Sequence, residues 1–129
     1  MRKITRKGLV KKLDRIFSEY IRRRFAKNDI VECVTCGIHK HWKEVDAGHF
    51  MSRKHYSTRW DTTNVQTQCK YCNGFRAGEN YLFGKYIDST YGIGTADELV
   101  AMSRKITKYT DKDLIELINR YKSLVDKFK

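Results

Sequence analysis

Cys33-Val34-Thr35-Cys36 and, thirty-two residues further on, Cys69-Lys70-Tyr71-Cys72 decide how this chain folds; Asp46-Ala47-Gly48-His49-Phe50 and Asn64-Val65-Gln66-Thr67-Gln68 lie between them, and Asn73 follows the second pair. Two C-x2-C knuckles supply four soft thiolates, the donor set of one tetrahedral zinc. Four sulfurs fill the coordination sphere, so the expected Zn2+ is structural and leaves no position for a reacting water. Free buried thiols or a redox C-x-x-C are the alternatives, and they leave the pairing of the knuckles unexplained. The spacing exceeds the roughly 15–20 residues of a simple zinc ribbon. Something substantial is therefore inserted between the knuckles.

Outward from the cysteines the texture changes. Val10, Leu13, Phe17, Tyr20 and Ile21 recur with a helical period over residues 7–26. Eleven basic residues against three acids fall in the first thirty positions, and Arg22-Arg23-Arg24 spread positive charge around the last turn. That excess predicts a phosphate-contacting arm, with a solvated helical face as the alternative. Inside the insert, residues 43–50 and 64–68 read as two strands, with 52–63 as a long polar loop between them. A loop of about 12 residues is at the upper edge of what a domain carries without function. Arg53 and Arg59 in it are candidates to clamp phosphates bidentately. Tyr56 and Trp60 are candidates to stack on splayed bases, although core packing is the better reading of Trp60. His39, His41 and His55 read as surface or loop residues.

Beyond Cys72, the apolar positions Tyr81, Leu82, Tyr86 and Ile87 predict a helix that closes near Tyr91-Gly92. Thr95-Ala96-Asp97-Glu98 reads as a capping box and Thr110-Asp111-Lys112-Asp113 as a weaker one, so two further helices follow. Leu114, Ile115, Leu117, Ile118, Tyr121, Leu124, Val125 and Phe128 make the last one strongly amphipathic, suited to docking on the core or to pairing with a second subunit.

The 129 residues fit a single domain, read as a basic helical arm (1–30), a metal-bound core (31–92) and a helical tail (93–129). No apolar run approaches the ~20 residues of a membrane span. No apolar segment of ~7–15 residues follows the basic N-terminus, which argues against a secretory signal. The expectation is a soluble protein of a reducing cytoplasm, where cysteines serve as metal ligands rather than disulfides. A formal charge of +12 implies a polyanionic partner, nucleic acid first, although ribosome-associated and membrane-surface proteins share such charge.

Read in order, His49, Asn64 and Asn73 resemble the His, Asn, Asn of the HNH or His-Me finger nucleases, in which a β-hairpin and a helix hold one divalent metal against the scissile phosphate. The subtype with paired zinc knuckles places its metal-binding Asn directly after the last cysteine, where Asn73 stands. A closer resemblance is to the phage NinG (Rap) recombination endonuclease family. It runs over residues 11–86, through K-K-L-D-R-I-F-S-E-Y-I-R-R-R, C-V-T-C-G, A-G-H-F-x-S-R and N-V-Q-T-Q-C-K-Y-C-N-G-F-R-A-G-E-N-Y. The resemblance implies an α+β fold: a zinc-stapled ββα-metal (HNH) core with a basic N-terminal helix and additional C-terminal helices.

It also implies a metal-dependent endonuclease that cuts branched DNA, such as Holliday junctions, in the cytoplasm of a phage's host. In that scheme Cys33, Cys36, Cys69 and Cys72 bind Zn2+, His49 is the general base, Asn73 ligates catalytic Mg2+ or Mn2+, and Asn64 ties the hairpin together. An imidazole of pKa ~6.5 suits the base role near neutral pH, and an amide oxygen is a hard donor suited to Mg2+. Many HNH enzymes carry a second ligand, an Asp directly before the base. Here that position is Gly48, which puts a two-ligand site in doubt and leaves Asp46 to reach the metal through water or to orient the hairpin, with direct ligation as the alternative. Arg22, Arg23, Arg24, Arg53, Arg59 and Arg76 are the candidate DNA contacts. Two other functions fit the residues: an HNH nuclease without structure preference, serving restriction or DNA packaging, and a non-catalytic zinc module that binds DNA. The latter leaves His49, Asn64 and Asn73 unexplained. Junction resolvases usually act as two-fold dimers, which makes the C-terminal helix a candidate homodimer interface.

Overall fold

The apolar period of the N-terminal segment folds as helix α1 (Arg6–Arg23) in a computed structural model that describes residues 3–129. Thr5 starts the helix, its hydroxyl accepting the Gly8 N–H at 3.0 Å, and so satisfies one of the backbone donors that a helix start leaves without partners. Leu9, Leu13, Ile16, Phe17 and Ile21 form its buried stripe. The element that covers it comes from the other end of the chain. Helix α5 (Asp111–Asp126) lays Leu114, Ile118, Tyr121 and Val125 on that stripe, with Phe17 and Tyr121 edge-on at 4.9 Å between ring centres. The amphipathic face that sequence offered to either the core or a second subunit is covered by α1.

Two antiparallel hairpins lie between these helices. Strands β1 (Ile30–Glu32) and β2 (His39–His41) carry the first knuckle at their turn. Gly37 takes φ +81° there, a left-handed conformation that glycine adopts without penalty, and donates its N–H to the Cys33 carbonyl at 2.9 Å. A single 3₁₀ turn (Trp42–Glu44) leads into β3 (Val45–His49), which pairs with β4 (Val65–Cys69) in a register that sets Val45 opposite Cys69 and His49 opposite Val65. One short hairpin thus has a knuckle cysteine at one end and the histidine at the other. Every residue of β4 is buried, including Gln66, Thr67 and Gln68. Its polar side chains are hydrogen-bonded inward, which is why the V-Q-T-Q-C pattern shows no apolar alternation.

Three expectations change. The segment 52–63, read as loop, contains the one-turn helix α2 (Tyr56–Arg59), and Trp60 packs into the core between Tyr56 and Tyr109. The helix expected beyond Cys72 forms and closes at Tyr91, but its start is separated from the second knuckle. A π turn (Tyr71–Phe75) is followed by Ala77 and Glu79 at φ +52° and +48°, and α3 (Asn80–Tyr91) begins only after them. Left-handed backbone at a non-glycine residue costs on the order of 1–2 kcal/mol. It is held here by the Gly78 N–H donating to the Cys72 carbonyl at 2.8 Å and by the Gln68 amide donating to the Gly78 carbonyl at 2.8 Å. The ranking of the caps is also reversed. Thr110 and Asp113 form the full reciprocal capping box of α5, whereas α4 (Thr95–Ser103) is preceded by Gly94 and the Thr95 hydroxyl turns back to the Gly92 carbonyl at 2.7 Å. Helices α3 and α4 enclose a second apolar cluster of Phe50, Phe83, Ile87, Ala96 and Leu99.

Candidate active-site cleft and cysteine cluster

The two knuckles meet. The sulfurs of Cys33, Cys36, Cys69 and Cys72 all lie within 4.8 Å of one another, with Cys36 and Cys69 Sγ 3.7 Å apart. A tetrahedron with metal–sulfur bonds of ~2.3 Å has edges of about 3.8 Å, so the cluster has the size to hold a metal ion such as zinc. Burial pushes the Cys72 thiol up to about 12. At Cys33 burial also opposes ionisation, but hydrogen bonds from Thr35 and from backbone amides outweigh it and bring the thiol down to about 6. Ionising all four sulfurs at this separation would be offset by a cation among them, so deprotonation of the cluster and metal binding go together.

Beyond the cluster opens a cleft of about 620 Å3, walled by Asp14, Arg22, Asp46, His49, Arg53 and Asn73 among others. His49, at the end of β3, has its Nε2 3.0 Å from the Arg59 carbonyl. A carbonyl only accepts, so Nε2 carries the proton and Nδ1 the lone pair. Burial lowers the His49 pKa below its ordinary value; the bond to Arg59 pulls the other way and the Arg53 charge adds to the lowering. The ring is neutral at pH 7, with one basic nitrogen.

Asp46 and Asn73 stand together. The Asn73 amide nitrogen donates to Asp46 Oδ2 at 3.0 Å, and Lys70 Nζ donates to Oδ1 at 2.8 Å. A carboxylate demands a donor, which orients the amide with nitrogen toward Asp46 and leaves Asn73 Oδ1 as a hard oxygen donor. Burial opposes the Asp46 charge, but the Lys70 and Asn73 hydrogen bonds outweigh it, and the carboxyl sits below its usual range. These two residues fit a divalent cation by donor chemistry. Gly48 does not: a Cβ there would stand 2.0 Å from Gln68 Oε1. Gln68 is buried and bonded to the Gly78 carbonyl and, at 3.2 Å, to the Thr35 hydroxyl. An aspartate directly before His49 has no room, so Asp46 is the carboxylate β3 offers.

Asn64 faces the protein, not the cleft. Its Oδ1 accepts the Met51 N–H at 2.8 Å while its Nδ2 donates to the Met51 and Thr58 carbonyls, each at 3.0 Å. It ties the chain leaving β3 to α2.

The arginines divide. Arg59 reaches Asp14 with two nitrogens and the Arg53 carbonyl with a third, so its guanidinium is not free to clamp a phosphate. Arg23 pairs with Glu19 and donates to the Phe128 carbonyl; Arg24 donates to the Val65 carbonyl and Gln66 Oε1. Both staple α1 to the rest of the fold, contrary to the reading of the triplet as a phosphate-contacting arm. Arg22 donates to Ser18 and to the Trp42 carbonyl yet lines the cleft. Arg53 also lines it, with 63% of its side chain exposed, while Arg76 on the outer surface pairs with Glu79. Lys43 and Lys70, not singled out from sequence, complete the basic wall.

Asp14 was also missed. It accepts from Arg59 and, at 3.0 Å, from Trp60 Nε1, and thereby fixes the residue whose carbonyl holds His49. A signal existed: Asp14 falls between Leu13 and Phe17, on the face of α1 that its own period marks as buried. Asp14→Ala leaves the half-buried Arg59 and Trp60 donors without partners, and we expect a loss of roughly 1–3 kcal/mol of stability in chemical denaturation. Asp14→Asn, which retains one acceptor, should recover part of it; equal stability of all three proteins would refute this role.

An α+β protein clamped by a four-cysteine cluster, with a histidine, a carboxylate and an amide converging in a basic cleft, is the class that fold and site define. The chain belongs to the NinG family: the family model described as bacteriophage lambda NinG protein matches residues 2–129. The match continues past Gly92 into the C-terminal helices, where the sequence motifs alone gave out. No curated protein and no solved structure matches the chain. No helix among the described residues is long and apolar enough to cross a membrane.

Proposed function

We propose that this protein is a divalent-metal-dependent DNA endonuclease acting on branched recombination intermediates of a phage, with a structural zinc on its four cysteines. The observation that carries the reading is the convergence, in one basic cleft, of a neutral His49 with a free Nδ1 and the Asp46–Asn73 oxygen pair. Nδ1 of His49 takes the proton from a water that attacks phosphorus; the bond to the 3′-oxygen breaks and that oxygen takes a proton from solvent water, leaving a 5′-phosphate and a 3′-hydroxyl. Asp46 and Asn73 Oδ1 would hold Mg2+ or Mn2+, which supplies positive charge against the charge developing on the phosphate and the leaving oxygen. Lys70 keeps Asp46 ionised, while Arg22, Arg53 and Lys43 bind phosphates along the cleft wall. A homodimer on a two-fold junction would have to form through a surface other than the apolar stripe of α5, which α1 covers.

The test compares a four-way junction, a flap and a linear duplex of shared sequence, at matched ionic strength because salt shifts non-specific binding strongly. We expect nicking of the junction in Mg2+ or Mn2+, with Asn73→Ala slower by roughly a hundredfold and partly rescued by more metal. Equal cutting of all three substrates would favour a nuclease without structure preference. No nicking of any would leave a DNA-binding module.

A further inference from the structure

The π turn that carries Asn73 also displays two aromatic rings to solvent. Tyr71 is 52% and Phe75 81% exposed, and the rings stack on each other at 5.0 Å with 15° between their planes. Arg76 lies over Tyr71, 5.2 Å from its ring centre. Apart from Arg76, the described residues leave the pair largely open, although exposed aromatic surface is unfavourable in water. Tyr71 is at the same time one wall of a second groove, of about 600 Å3, whose floor includes Ile38 and Cys69 and whose rim carries Lys40, Lys43 and Lys70. Glu44 is the one acid lining it among the described residues. Lys43 and Lys70 line both this groove and the cleft that holds His49. The two depressions therefore share a basic wall.

An apolar floor beside an aromatic ring accepts the face of a base, and a lysine rim accepts the phosphates that follow it. A paired duplex presents phosphates but no free base faces. We infer that the second groove binds an unpaired DNA strand continuing from the scissile phosphate, with a base stacked on the Tyr71–Phe75 platform. The inference rests on the nuclease reading above and deepens it: the branch is recognised through the single-stranded nucleotides beside the cut. Of the two stacking candidates read from the sequence, Trp60 is buried in the core.

The test is binding by fluorescence anisotropy without Mg2+ or Mn2+, using a blunt duplex and the same duplex with a single-stranded extension of about ten nucleotides. The zinc-loaded full chain should prefer the extended duplex. Tyr71→Ala and Phe75→Ala should each lower the extended-to-blunt affinity ratio about tenfold, Tyr71→Phe should keep it, and Lys40→Ala should flatten the salt dependence for the extended DNA only. A 2-aminopurine stepped along the extension should be quenched at one position by wild type and not by Tyr71→Ala. Unchanged ratios in both alanine variants, or equal loss on both DNAs, would overturn the inference. Cleavage read separately distinguishes the two claims. A protein that prefers the extension but never nicks refutes the nuclease reading alone; one that nicks junctions while every variant keeps its ratio refutes the groove alone.

Discussion

His49→Ala should cost roughly 10²–10⁴-fold in the single-turnover rate of junction cleavage while DNA binding stays near wild type. The variant loses the ring whose Nε2 is tied to the Arg59 carbonyl and whose Nδ1 is the proton acceptor we propose. The lost hydrogen bond accounts for only about 0.5–1.5 kcal/mol of stability, so the protein should still fold, and rate and stability separate cleanly. The pH profile gives an independent reading. A base must be neutral, and burial sets the His49 pKa below its ordinary 6.5. Cleavage should hold through neutral pH and fall only as pH drops through that lowered value. A His49→Ala protein cutting at the wild-type rate, or an acid limb centred above 6.5, would remove His49 from the base role.

Stripping the metal should unfold the domain. Structural zinc contributes roughly 10–16 kcal/mol of apparent binding free energy in small zinc domains, against about 5–15 kcal/mol of total stability for an ordinary domain. The sulfurs join the β1–β2 turn to the end of β4, and Val45 opposite Cys69 makes the same hairpin that bears His49 depend on that junction. A strong chelator should therefore abolish the cooperative thermal transition, and Cys72→Ser should reproduce the effect at any zinc concentration. Retention of the full transition and of native circular dichroism after chelation would show that the apolar clusters suffice.

Sequence carried the elements that depend on local pattern. The 3.6-residue period of α1 and α5 and the glycine stop after Tyr91 are readable because the residues that cause them lie within a turn or two. The cysteine frame was equally readable, since ligand chemistry fixes the spacing. What escaped was set by partners distant in sequence. The Arg22-Arg23-Arg24 run looks like a free cationic patch until the carbonyls of Trp42, Phe128 and Val65 are brought to it. Asp14 has no motif, only a position on the wrong face of a helix. The role of Gly48 could not be seen without the Gln68 side chain that crosses above it. The left-handed turn before α3 was hidden because Ala77 and Glu79 are ordinary helix formers, and the hydrogen bonds that bend the chain there come partly from Gln68.

The pairing of α1 with α5 sets an order of assembly. A ribosome delivers α1 before α5, and until α5 emerges the apolar stripe of Leu9, Leu13 and Phe17 lacks the helix that covers it. Asp14, which fixes Arg59 and through it the imidazole of His49, rides on that unsettled helix. The cleft is therefore finished only once α5 has packed on α1. A chain lacking α5 would keep the four cysteines and the basic wall of Lys43 and Lys70 but would leave the helix that carries Asp14 uncovered, so loss of Asp111–Asp126 should loosen His49 although no residue of α5 lines the cleft.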